Sequence, residues 1–204
     1  MKEFIIATGN EGKLKEFREM LSRFPVRLSS LRDHWQPVPQ IEENGATFFD
    51  NAKIKADWVY EHSKGVWALA DDSGLEVDAL DGRPGVKSAR YSGENATSDK
   101  NNAKLLSELA DVPSHLRTAR FRCVLVARIG PEEYISAEGS CEGRIASSRS
   151  GSGGFGYDPL FVPSGYSESF AELSSEVKNR ISHRGAALRA LSRKLYGTFD
   201  RQQV

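Results

Sequence analysis

Asp71 and Asp72 follow the apolar run Val66 to Ala70 and precede Ser73-Gly74. Two carboxylates in that position are costly unless solvated, paired or metal-bound. The end of a strand is also where open α/β sheets place their active sites. Side chains of a strand alternate between faces, so the two aspartates are expected to take different tasks. One faces the site as magnesium ligand or general base, and the other fixes the loop; a capped turn would use the same residue types.

Thr8-Gly9-Asn10-Glu11-Gly12-Lys13 is a second candidate. A strand opening into a helix here would present unpaired backbone N–H groups and the positive end of the helix dipole to an anion. Gly9 allows close backbone approach, Thr8 and Asn10 add hydrogen-bonding side chains, and Lys13, one turn in, can reach back to a phosphate. An ordinary helix cap with a surface lysine has the same letters. Glu42-Glu43-Asn44-Gly45 is a further source of carboxylate for Mg²⁺, which takes oxygen ligands and keeps waters and substrate phosphates; acidic residues before a helix also serve as caps. Lys53 and Lys55 are two apart and cannot share one helix face, so at most one points into a site.

Gly151-Ser152-Gly153-Gly154-Phe155-Gly156 formally satisfies G-x-G-x-x-G. A dinucleotide site needs a strand before that pattern and a helix after it. Ser147 to Ser150 precede it instead, and Pro159 opposes a helix that would follow. No G-K-[ST] occurs either. The loop is expected to be a flexible cover that sets Phe155 against a flat base. Lys178 and Ser182-His183-Arg184 supply clustered donors suited to phosphate or a base carbonyl. Arg83, Lys87 and Arg90, near another glycine loop, are candidates for an assisting role.

Positioning these groups requires alternating strands and helices. Phe4 to Ala7 is a short buried strand, and Leu14, Phe17, Leu21 and Phe24 form the stripe of an amphipathic helix. Val26 to Ser29 suits a second strand, Thr47 to Glu61 a helix, and Val66 to Ala70 a strand ending at the aspartates. Gly82 to Gly93 reads as loop, Asp99 to Leu109 as helix. Phe121 to Ile129 alternates as a strand and pairs with Tyr134 to Glu142 across Gly130-Pro131. Ser174 to Leu195 is helical. Strand, glycine turn, helix is the opening of an α/β protein.

Among 204 residues, Lys plus Arg number 28 and Asp plus Glu 28, so no global field favours nucleic acid or an anionic membrane. Phosphate binding must come from a local cluster of cations. The apolar run at the N-terminus, Phe4 to Ala7, is too short for a secretory or membrane-spanning segment. Cys123 and Cys141, without zinc spacing or an export signal, read as reduced core thiols of a cytoplasmic protein.

The segments ATGNEGK, ENGATFFDNAKIKA, ADDSGLEVDAL, PGVKSARYSG, SGSGGFGYDPLF and ISHRGAAL, in this order over residues 7 to 188, resemble the inosine triphosphate pyrophosphatase family, in its bacterial dITP/XTP pyrophosphatase type. The resemblance implies one α/β domain over 1–204, with an elongated central mixed sheet flanked by helices and two lobes with the active site in the cleft between them. It implies Mg²⁺ and a homodimer. It makes Asp72 the proton acceptor and a magnesium ligand, and Glu42 the second metal-associated carboxylate, with Glu43 adjacent. It makes Thr8, Gly9, Asn10, Glu11, Gly12 and Lys13 the phosphate-side loop and Lys55 a phosphate lysine. Ser73, Phe155, Gly156, Tyr157, Asp158, Lys178, His183 and Arg184 become substrate contacts.

The expected reaction is hydrolysis of ITP, dITP and XTP to monophosphate and pyrophosphate, which keeps these nucleotides out of DNA and RNA. Lys13, Lys55 and Lys178 hold the triphosphate, and donors from His183 and Arg184 select a 6-oxo purine. Competing readings are a pyrophosphatase for other modified nucleotides and a non-catalytic nucleotide sensor. The carboxylates Asp72 and Glu42 weigh against the sensor, and the neutral charge weighs against a nucleic-acid module.

Overall fold

A computed structural model describes residues 2–22 and 24–199. β1 (Lys2–Ile6) is the apolar run at the N-terminus. It lies between β2 (Val26–Ser30) and β3 (Trp67–Val77) and is parallel to both, Phe4 pairing with Leu28 on one side and Trp67 on the other. A strand enclosed in this way reads as continuously apolar, which is why Phe4, Ile5 and Ile6 are all buried. The full order is β2-β1-β3-β4-β5-β6, with β4 at Thr118–Arg128, β5 at Tyr134–Ile145 and β6 at Phe161–Pro163. Antiparallel pairing of β5 with β6 makes the sheet mixed, as expected.

The helices are α1 (Glu11–Leu21), α2 (Leu31–His34), α3 (Phe48–His62), α4 (Ser98–Glu108), α5 (Ser175–Ile181) and α6 (His183–Phe199). Their starts are written in the sequence. Asn10 accepts the Lys13 backbone N–H, Thr47 and Asp50 form a capping box, and Thr97 and Ser174 cap α4 and α5. The expected C-terminal helix is two helices, because Ser182 adopts an extended backbone with ψ 158°.

The largest departure concerns β3, which continues through Asp71-Asp72-Ser73-Gly74 to Val77 instead of ending at Ala70. Leu75 and Val77 are fully buried, so the strand recovers apolar partners beyond its polar middle. The short α2 and β6 were not anticipated.

The described chain divides into two compact units. The first comprises the described residues up to Asp72, 123–139 and those from Arg184 on, and its core joins Phe4, Ile6, Leu14, Phe17 and Leu69 to Leu125, Leu188 and Leu191. The second comprises 73–122 and 140–183, around Leu75, Leu105, Leu109, Phe121, Leu160, Phe161 and Phe170. Among the described residues no helix is long and apolar enough to cross a membrane. Cys123 and Cys141 are buried free thiols, and burial pushes the Cys123 thiol up to about 12.

Candidate active site

In the first unit, β3 carries its adjacent aspartates into different surroundings. Asp71 Oδ2 lies 3.0 Å from Lys13 Nζ and 3.0 Å from Arg184 Nη2. Arg184 also donates from Nη1 to Glu16. Glu16, Arg184, Asp71 and Lys13 therefore alternate in charge along a chain drawn from α1, α6 and β3, buried except at Lys13. Burial alone would push the Asp71 carboxyl up, but Lys13, Arg184 and Lys55 outweigh it and hold the group well below the usual carboxylate range. Burial likewise opposes the Arg184 charge, and Asp71 and Glu16 more than compensate.

Asp72 is bound differently. Its Oδ2 accepts a hydrogen bond from Asn51 Nδ2 at 3.0 Å, and its Oδ1 lies 3.6 Å from Lys55 Nζ. Lys55 Nζ is also 3.2 Å from Glu43 Oε1. Burial raises the Asp72 pKa, an effect that Lys55 and Lys13 offset only in part. Lys55 is 6% exposed; burial disfavours its charge, but Asp71, Asp72 and Glu43 together raise its pKa. The pKa values of two neighbouring carboxylates are thus driven apart, cations holding that of Asp71 down and burial raising that of Asp72. That division is how proteins separate acid–base roles between like groups.

Only one of the two α3 lysines enters this cluster. Lys53 turns to Asp57 at 2.5 Å and to the Tyr134 hydroxyl, whereas Lys55 points inward. In the turn before α1, the Thr8 and Asn10 side chains act as caps: Thr8 Oγ1 accepts from Asn10 N and Asn10 Oδ1 from Lys13 N, each at 3.1 Å. Gly9 is exposed, and a Cβ there would meet no atom within 4 Å, so its backbone is open to a ligand. Gly12 is half-buried, and the exposed Glu11 pairs with Arg32 at 3.0 Å.

Of the two glutamates before α3, Glu43 is the one on Lys55; Glu42 is exposed. Glu43 and Asp72 thus converge on one ammonium and offer only oxygen, a donor set that fits a hard divalent cation. Among the described residues no group of three or more His, Cys, Asp or Glu could hold a metal ion. An ion at this pair would have to complete its shell with water and substrate phosphates, which is the habit of Mg²⁺.

The second unit holds Ser73, Phe155 to Asp158, Lys178 and His183. Asp158 Oδ2 accepts from Lys178 Nζ at 2.6 Å and from Phe155 N at 2.8 Å, and the Lys178 ammonium stands 4.7 Å from the Phe155 ring centroid. Gly154 has φ +71°, and a Cβ on it would fall 2.1 Å from Asp158 Oδ2, so only glycine fits. Gly156 O accepts from Asn102 Nδ2 at 2.8 Å, while the Tyr157 hydroxyl donates to Ser88 O at 2.9 Å. The glycine-rich loop is joined to the segment after β6: Gly153 N donates to Ala171 O at 3.0 Å and Ser150 Oγ to Glu172 at 2.7 Å. Arg83 pairs with Glu108 at 3.1 Å, and Lys87 and Arg90 are exposed.

Two expected groupings are redrawn. His183 and Arg184, read as one pair of base donors, go to different units: His183 stacks on Phe121 with centroids 4.7 Å apart, while Arg184 is 1% exposed on Asp71 and Glu16. Both stand at the start of α6, where consecutive side chains point to different faces of the helix. Lys178, grouped with the triphosphate lysines, is buried against Asp158 and Phe155. Sequence reasoning passed over Glu16 and Asn51. Both carry a signal, because Glu16 is one turn from Lys13 and Asn51 one turn from Lys55 on the inward face of its helix.

A mixed α/β sheet bearing paired carboxylates among buried cations defines a protein equipped for phosphate chemistry. The chain belongs to the Ham1 family, whose model matches residues 4–194. It is 51% identical to the dITP/XTP pyrophosphatase of Geobacter sulfurreducens, covering 94% of this chain and 95% of that protein. It is 46% identical to the dITP/XTP pyrophosphatase of Oceanobacillus iheyensis, over 96% of this chain and 99% of that protein. Among solved structures, a HAM1 protein from Coxiella burnetii superimposes with a TM-score of 0.86 at 40% identity, over 97% of this chain and 100% of that one.

Proposed function

We propose that this protein hydrolyses non-canonical purine nucleoside triphosphates, ITP, dITP and XTP, to the monophosphate and pyrophosphate. The observation that carries the reading is the convergence of Glu43 and the burial-shifted Asp72 on the buried Lys55. A binding protein for phosphates needs cations; a carboxylate made more basic by burial suits a group that must accept a proton. Relatives named dITP/XTP pyrophosphatase support the substrate class.

In this reading water attacks the α-phosphorus and Asp72 takes its proton. Lys13 and Lys55 position the phosphates and balance the charge that develops on them, and the exposed backbone at Gly9 admits close approach. Glu43, rather than Glu42, joins Asp72 in holding Mg²⁺, which supplies charge neutralisation at the phosphate oxygens when bound. Asp71 is the partner that stays ionised and fixes Lys13. Phe155 offers a face to the base, and Lys178, a donor with no acceptor capacity, favours a 6-oxo group over the 6-amino group of adenine. A homodimer in the cytoplasm belongs to the same reading, and its mass is checked by light scattering.

Pyrophosphate release from ITP, XTP, ATP and GTP, each with and without Mg²⁺, tests the proposal. Magnesium-dependent release from ITP and XTP, with little from ATP or GTP, is the expected result. No release from any of the four would refute it.

A further inference from the structure

Asn51 is fully buried on α3, and the reaction as written above does not use it. Its amide is committed at both ends: Nδ2 donates to Asp72 Oδ2 at 3.0 Å, and Oδ1 accepts from Gly45 N at 2.8 Å. The partners fix the orientation, because only the NH₂ end can meet a carboxylate and only the oxygen can meet an N–H. Gly45 is two residues beyond Glu43. It sits so close to α3 that a Cβ on it would lie 2.5 Å from Asp50 Cβ and 2.8 Å from Asn51 Oδ1. The start of α3 is itself fixed, Asp50 N bonding Thr47 Oγ1 at 3.1 Å and Thr47 N bonding Asp50 Oδ2 at 3.0 Å.

We infer that Asn51 is a positioning residue that sets the spacing between the Glu43 and Asp72 carboxylates and so shapes the divalent-cation site they form. This rests on the reading that those two carboxylates hold the ion. The Glu43 segment hangs on one end of a rigid amide and Asp72 on the other, so both carboxylates share one reference point. Lys55 also touches both, but an ammonium on a four-carbon stem imposes no fixed geometry. Groups that orient metal ligands from behind typically contribute 10- to 100-fold in metal affinity.

The test uses Mn²⁺ alone, titrated into the full chain and followed by the disappearance of the free-ion EPR signal. Asn51→Ser removes the shared amide. Gly45→Ala leaves Asn51 and Asp72 chemically intact and pushes the Glu43 segment off α3. Both variants are expected to bind Mn²⁺ about 10-fold or more weakly, with the far-ultraviolet dichroism of the wild type. Wild-type affinity in Asn51→Ser with weakening in Gly45→Ala would overturn the role of Asn51 and leave the Glu43–Asp72 reading in place; equal affinity in all three proteins would overturn both. Weakening in Asn51→Ser alone would also overturn it, because the amide would then serve only Asp72. Absence of Mn²⁺ uptake by the wild type would remove the cation reading itself and this inference with it. Should Asn51→Ser fail to fold, Asn51→Gln, which keeps the amide but lengthens its stem by one methylene, decides the question: wild-type Mn²⁺ affinity in it would overturn the role of Asn51.

Discussion

Arg184 and Asp71 form a buried ion pair, Nη2 to Oδ2 at 3.0 Å, across 113 residues of sequence. Since Lys13 lies on the same oxygen, replacing Asp71 leaves two cations facing a neutral group. Asp71→Asn is expected to destabilise the protein by about 3–5 kcal/mol, the cost of an uncompensated buried charge. Urea unfolding at pH 7 measures it, and a loss below about 1 kcal/mol would mean that Glu16 alone suffices for Arg184.

Asp72→Asn, one residue along, should behave in the opposite way. Burial disfavours the Asp72 charge, so the amide is expected to leave the melting temperature unchanged or slightly raised. Turnover of ITP should fall by at least about 100-fold, the lower range for loss of a general base. Calorimetric binding of ITP in the variant should persist. A variant with substantial turnover would remove the assignment of Asp72 as proton acceptor.

Gly9 offers a test of backbone approach without a cost in stability. Nothing lies within 4 Å of a Cβ placed there, so Gly9→Ala should change stability by less than about 0.5 kcal/mol. If phosphate meets this backbone, KM for ITP rises while the unfolding curve stays put.

Gly154→Ala acts in the second unit. The methyl group would overlap Asp158 Oδ2 and displace Asp158 from Lys178 and Phe155 N. KM for ITP is expected to rise about 10-fold, the scale of one misplaced polar contact, with a smaller change in kcat. Steady-state kinetics separates the two parameters.

Tyr91 predicts an alkaline limit. Its hydroxyl donates to Glu108 at 2.6 Å, and burial together with that carboxylate pushes its pKa up to about 12. A folded-state pKa above the unfolded value of about 10 stabilises the fold fully below pH 10, and the contribution is lost as pH rises to about 12. Tyr91→Phe should therefore be less stable at pH 7 by about 1.5–3 kcal/mol and should show a flatter decline between pH 10 and 11.5 in urea unfolding. Parallel curves for the two proteins would contradict this.

Features encoded by neighbours in sequence were legible, and those encoded by distant partners were not. The apolar run of β1, the α1 stripe, the Thr47 cap of α3 and the alternation of β4 are local patterns, and each element lies within a few residues of its expected place. β3 was cut short because Asp71-Asp72-Ser73-Gly74 looks like a turn when read alone. Lys13, Lys55 and Arg184 make those charges tolerable inside a strand, and they come from three other elements. Lys55 could be separated from Lys53 only as an either-or, and nothing local to the sequence shows that Glu43 rather than Glu42 meets Lys55. Arg184 and His183 are adjacent in sequence, but consecutive positions of α6 face different ways, and the two fall in different units.

The first unit is assembled from three stretches of chain, the last beginning at Arg184. At about 5–20 residues per second of synthesis, Asp71 is added to the chain roughly 6–23 s before Arg184, 113 residues later, exists to neutralise it. Any nascent chain released before α6 therefore carries an acidic strand that cannot close its own interior. Truncated products of this protein that lack α6 should therefore be substrates for chaperones and proteases.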